Sequence, residues 1–154
     1  MGIGGLRMQD RLRFRVWFTP DYQEPEMIYD AEQTYDNRCR NEGSFHHESF
    51  GEVLEDKNCI VMQCTGLKDK NGKLIYEGDI VKYAEFDWTD FSFKDWETEI
   101  AQVVWGNTYD NYYPAFDLKD TDFDGTNAFA YLFNEGWTIE VIGNIYQNPE
   151  LLEE

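Results

Sequence analysis

The sequence is short of basic residues: 13 Lys+Arg stand against 31 Asp+Glu in 154 residues, a formal net charge of −18. Sequence-independent DNA or RNA binding needs a basic patch that displaces counterions, so no direct contact with nucleic acid is expected. The same charge excludes attraction to an anionic membrane surface. No apolar run reaches the roughly 18 residues of a membrane span. The opening stretch MGIGGLRMQDRLRFRVW has no signal-peptide core either. A soluble, cytoplasmic protein is expected. Cysteine is scarce, with only Cys39, Cys59 and Cys64. An odd, sparse set does not make a secreted disulfide framework. There is no G-x-S-x-G, no P-loop and no C-x-x-C. No catalytic residues and no cofactor are expected on these grounds.

Aromatic residues make up 17% of the chain and apolar residues 42%. Acidic disordered chains are poor in aromatics, so a folded protein is expected. Its length suits one domain, or one domain with a small appendage, and a core that needs no staples. The charge is uneven. Residues 1–77 hold 10 basic and 14 acidic residues, whereas residues 78–154 hold 3 and 17.

Residues 11–18, RLRFRVWF, alternate with period two. Leu12, Phe14, Val16 and Phe18 form the expected core face, and Arg11, Arg13, Arg15 and Trp17 a solvated one. Residues 59–65 read as an apolar strand. Lys70-Asn71-Gly72-Lys73 and Glu77-Gly78-Asp79 read as turns, because Asn and Gly tolerate positive φ. Residues 84–97 are rich in aromatics and acids, and read as a long loop or wide hairpin. Further strands are expected at 98–105, 113–118 and 137–146. A helix is expected at 126–135, where Phe129, Leu132 and Phe133 have helical spacing. Short strands, Gly-containing turns and one short helix predict a mostly β protein of the small-barrel kind.

Several segments resemble the YopX family of bacteriophage and prophage proteins. The longest are TGLKDKNGKLIYEGDIV (65–81) and IEVIGNIYQNPELL (139–152). VVWGN (103–107), FRVW (14–17), MIYDAEQ (27–33) and SFGEVLED (49–56) fit the same pattern. The loops at 36–48, 84–97 and 108–128 depart from it, as does the leading MGIGGLRMQD. The resemblance implies a phage origin and an SH3-like β-barrel in the C-terminal part. The expected division is an N-terminal β extension at 1–58 and a barrel domain at 59–154. The resemblance assigns no reaction. The signature itself reads as structural. Gly72 and Gly78 supply turns, Ile75, Ile80 and Val81 supply core, and Asp69 and Asp79 cap turns through their side chains.

Two metal readings need weighing. Cys59 and Cys64 lie in CIVMQC, and five residues apart on a strand they point to opposite faces. Without the C-x-x-C knuckle they do not converge on one ion. Buried free thiols and no metal site are expected, with His46 and His47 in a polar loop after Asn41-Glu42-Gly43-Ser44. Asp120, Asp122 and Asp124 lie in DTDFDG, which matches the opening half of a calcium loop. Tyr131 stands where the bidentate Glu belongs, so calcium is a weak candidate. The competing reading is a solvated acidic turn in which Asp124 or Thr126 caps the helix.

The expected function is a phage or prophage accessory protein that binds a host or phage protein without catalysis, with homo-oligomer formation open. One alternative is an acidic nucleic-acid mimic that inhibits a host DNA-binding protein. The other is a small carboxylate- or metal-dependent enzyme.

Overall fold

The computed structural model describes residues 8–33, 45–87, 89–90, 92–106, 115–119, 121, 127–134 and 139–153. The chain forms two compact units, Arg7–Gly66 and Leu67–Glu154. The architecture is mostly β with few short helices.

In the first unit β1 (Phe14–Phe18) lies between β2 (Glu26–Ile28) and β3 (Cys59–Lys68), antiparallel to both. A short helix, α1 (Phe50–Glu55), precedes β3. Val16, Phe18, Ala31, Phe45 and Val53 form the core. The inner face of β1 is the expected one at Val16 and Phe18, with Phe14 packed against it, but Leu12 is a correction: it ends a 3-10 helix (Met8–Leu12) before the strand and is 65% exposed. The opposite face is a correction: Arg15 is only 1% exposed, not solvated. Its register partner across the strand pair is Met62, which is also buried. A central strand is lined on both flanks, and the long aliphatic stem of arginine is easily covered. Arg13 keeps the expected exposure and pairs with Asp10 at 3.3 Å.

Helix α1 was not expected, since one helix alone was read from the sequence. Its start carries the Ser-x-x-Glu pattern of a capping box, with the Glu side chain reaching back one residue beyond the Ser49 cap. The Glu52 N–H donates to Ser49 Oγ at 3.3 Å, and Glu52 Oε2 accepts from the Glu48 N–H at 2.9 Å. The β3 strand also sits differently. Residues 59–66 belong with β1 rather than opening the second domain, because β3 pairs with β1 over its first half. It runs on from Gly66 into the second unit, and β4 (Leu74–Tyr76) is its neighbour in the sheet.

The second unit continues with β5 (Asp79–Asp87), β6 (Ser92–Trp105), β7 (Phe116–Leu118), α2 (Ala128–Asn134) and β8 (Glu140–Asn144). Its sheet has the order β7-β6-β5-β8. Most of residues 84–97 thus belongs to the β5–β6 pair, which is the wide-hairpin alternative. The side chains of Phe86, Phe93 and Trp96 lie outside the described residues, as do Trp88 and Phe91 altogether. Ile75, Val81, Val103, Leu118, Phe129, Leu132 and Ile139 build the core. Asn127 caps α2, accepting from the Ala130 N–H at 2.7 Å. The expected caps Asp124 and Thr126 lie outside the described residues.

Candidate functional site

The long signature segments fold into scaffold. Gly72 and Gly78 have φ of 81° and 83°, as their turns require. Asp69 Oδ1 accepts from the N–H groups of Asn71 and Lys73 at 2.8 and 2.9 Å. Asp79 Oδ2 accepts from the Tyr76 N–H at 2.8 Å. Ile75, Ile80 and Val81 are fully buried. The segments also meet one another. Asp69 Oδ2 accepts from the Val141 N–H at 3.0 Å, and the Lys70 N–H donates to the Ile139 carbonyl. The Gly78 N–H donates to the Val103 carbonyl at 2.8 Å. Two of the carboxylates counted in the acidic half, Asp79 and Asp117, are interior groups. Asp117 Oδ1 accepts from the Leu118 and Phe129 N–H groups. They add nothing to an outer acidic surface.

The chemically mixed site lies in the first unit, around α1. Before the helix, Phe45 packs edge-on against Phe18 with centroids 5.5 Å apart, and the His47 ring meets Phe45 in a tilted contact at 4.6 Å. His47 is 8% exposed, which corrects the expected polar-loop placement, while His46 is exposed. The aromatic floor supplied by Phe18 and Phe45 is what buries the ring. After the helix, the chain turns through Asp56-Lys57-Asn58-Cys59. Asp56 Oδ1 accepts from the Asn58 N–H at 2.8 Å, and the Asp56 carbonyl accepts from the Cys59 N–H at 3.0 Å. This tight turn aims Asp56 and Cys59 back at His47. The His47 Nε2–Asp56 Oδ2 distance is 2.8 Å, and His47 Nε2–Cys59 Sγ is 4.0 Å.

The electrostatics are one-sided. The Asn58 N–H, helped by His47, holds the Asp56 carboxyl below the usual carboxylate range. Burial, reinforced by the Asp56 charge, pushes the Cys59 thiol from 9.0 up to about 12. Such a thiol is not a nucleophile at neutral pH. The geometry agrees, because a catalytic relay engages both ring nitrogens, one with the acid and one with the nucleophile. Here Nε2 faces both Asp56 and Cys59. Nδ1 is buried and has no hydrogen-bond partner among the described residues.

The shift in the Cys59 thiol lowers its thiolate fraction about 1000-fold near pH 8. Alkylation by iodoacetamide in the presence of a chelator is therefore expected to modify Cys59 at least about 100-fold more slowly than the same residue in urea. Peptide mapping by mass spectrometry over time checks this.

A cleft of ≈ 250 Å³ opens beside the His47–Asp56 pair. Pro20, Asp21, Tyr22 and His46 line it, together with Asn58. The Asn58 carbonyl accepts from both the Thr19 N–H and its hydroxyl, which ties the loop after β1 to the turn before β3. Tyr22 stands on that loop and is 98% exposed.

Asp120, Asp122 and Asp124, the weak calcium candidates, lie outside the described residues, as does Cys39. Cys64 is buried farther along β3, and strand alternation sets it on the face opposite Cys59. Cys59 and Cys64 therefore do not converge, as the strand spacing predicts. The available signal was different: an Asp-x-x-Cys turn following a capped helix.

No curated protein matches the chain. The crystal structure of protein EF1440 from Enterococcus faecalis is similar at 21% identity, with a TM-score of 0.46, over 91% of this chain and 96% of that one. The family model described as YopX protein matches residues 13–153. That span takes in all six resembling segments, from FRVW to the C-terminal turn, and the chain belongs to the YopX family.

Proposed function

We propose that the protein is a non-enzymatic binding module of a phage or prophage, acting on a host or phage protein in the bacterial cytoplasm. An SH3-like arrangement of the second unit would serve as its scaffold. The cleft in the first unit is the observation that supports this reading. Small-molecule sites typically span about 300–1,000 Å³ and are closed on most sides. A cleft of ≈ 250 Å³ is the size for one side chain of a partner. Its rim carries a fully presented tyrosine, the residue type that dominates binding hot spots at low entropic cost. Its lining includes the carboxylate of Asp21, which suits a lysine or arginine. Neither the shielded thiol nor the single-nitrogen geometry at His47 favours catalysis.

Affinity purification of the tagged protein from infected or lysogenic cells, with mass spectrometry, tests the reading. A reproducible partner lost with Tyr22→Ala is the expected result. Recovery of no reproducible partner would overturn it.

A further inference from the structure

His47, Asp56 and Cys59 each offer one ligand atom, and all three atoms lie within 4.8 Å of one another. This is a mixed nitrogen, oxygen and sulfur set. It comes from two short segments that flank the six-residue helix α1, so its geometry is locally fixed. We propose that His47 Nε2, an Asp56 carboxylate oxygen and Cys59 Sγ bind a single zinc ion, with a fourth coordination position left for water or a partner group.

The donor set points to zinc rather than calcium or magnesium. Hard cations take six or more oxygens, and a thiolate with an imidazole selects a borderline metal. The spacing also fits. A tetrahedral zinc with bonds of about 2.0–2.3 Å holds its ligands roughly 3.3–3.7 Å apart. The two pairs that share His47, at 2.8 and 4.0 Å, bracket that range, and the third lies within 4.8 Å, so shifts of about 1 Å seat the ion. The Asp56–Cys59 turn does the work of a zinc knuckle. Its two ligands are three residues apart, and the Cys59 N–H bond to the Asp56 carbonyl closes the loop.

The balance of the step is simple. The Cys59 thiol releases its proton to solvent, and a thiolate–zinc bond forms. His47 ligates through Nε2 as the neutral imidazole that carries its ring proton on Nδ1, the buried nitrogen without a hydrogen-bond partner among the described residues. Zinc with one thiolate and one carboxylate is then neutral, which suits a half-buried site. His47 and Asp56 also line the cleft, so the open position is reached from there.

The test is cobalt(II) titration of the full-length, metal-free protein under a non-thiol reductant. The expected result is saturation at about one equivalent, with a thiolate-to-cobalt charge-transfer band and tetrahedral d–d bands, both bleached by added zinc. Cys59→Ala abolishes the charge-transfer band and Cys39→Ser leaves it intact. Asp56→Asn keeps the band and weakens binding at least about tenfold. An octahedral spectrum without the band in the wild-type protein overturns the proposal, and this outcome does not depend on any variant folding. A band that survives in Cys59→Ala overturns it equally. The ion would share the cleft of the proposed partner site, and the two readings fail separately, since cobalt binding is measured with no partner present.

Discussion

Replacing Asp69 by alanine is expected to destabilise the protein by about 3–5 kcal/mol. The residue is buried, and its carboxylate serves three backbone N–H groups: Asn71, Lys73 and Val141. The first two close the turn between β3 and β4. The third lies in β8, 72 residues away along the chain. Each donor left without a partner away from water costs about 1–3 kcal/mol, less where water reaches the turn. Asp69→Asn keeps one acceptor oxygen and should fall between wild type and alanine. Urea unfolding followed by tryptophan fluorescence reads the difference as a shift in midpoint. Lys70→Ala is the control. It removes a neighbouring ion pair to Glu140 at the surface and should leave the midpoint nearly unchanged.

The second large effect is expected at Ile75. The three-residue strand β4 carries it into the core of the second unit, where it is fully buried with Val81, Val103 and Leu132. Ile75→Ala removes the side chain from a close-packed interior and leaves a cavity, at a cost of about 2–5 kcal/mol. Ile60, on β3, has the same side chain at 42% exposure. Its replacement by alanine should change stability by no more than about 0.5 kcal/mol. The same unfolding measurement, made on both variants, tests whether the signature residue is core.

These two residues show what could be read from the sequence. The turn chemistry at Asp69, Gly72, Gly78 and Asp79 was legible because each is a local device. An Asp side chain reaches the backbone two to four residues on, and a glycine takes a positive φ. The apolar positions Ile75, Ile80 and Val81 were legible from alternation. What local pattern does not show is the Asp69 bond to Val141, because it depends on which strands become neighbours. Arg15 failed for the same kind of reason. Alternation placed it on the outer face, but burial of that face depends on what else packs there. At the candidate site, the distance that matters separates His47 from Cys59, and α1 spans it. Ser49 and Glu52 announced that helix as a capping box, and without it the two residues read as unrelated. The Asp-x-x-Cys turn is not legible as a ligand pair from the sequence, because its partner His47 lies on the far side of α1.

The longest signature segment supplies turns and buried core positions, and the recognition site proposed above is the cleft beside His47. Parallel affinity capture from infected cells with two surface variants tests that division most directly. Tyr22→Ala alters the rim of the cleft, and Lys73→Ala alters an exposed position within the longest signature segment. Both should melt like the wild-type protein. The account predicts that Lys73→Ala retains the partner at wild-type yield, while Tyr22→Ala loses at least about nine-tenths of it, as expected for a hot-spot aromatic. Retention of the partner by Tyr22→Ala together with its loss from Lys73→Ala would contradict the account.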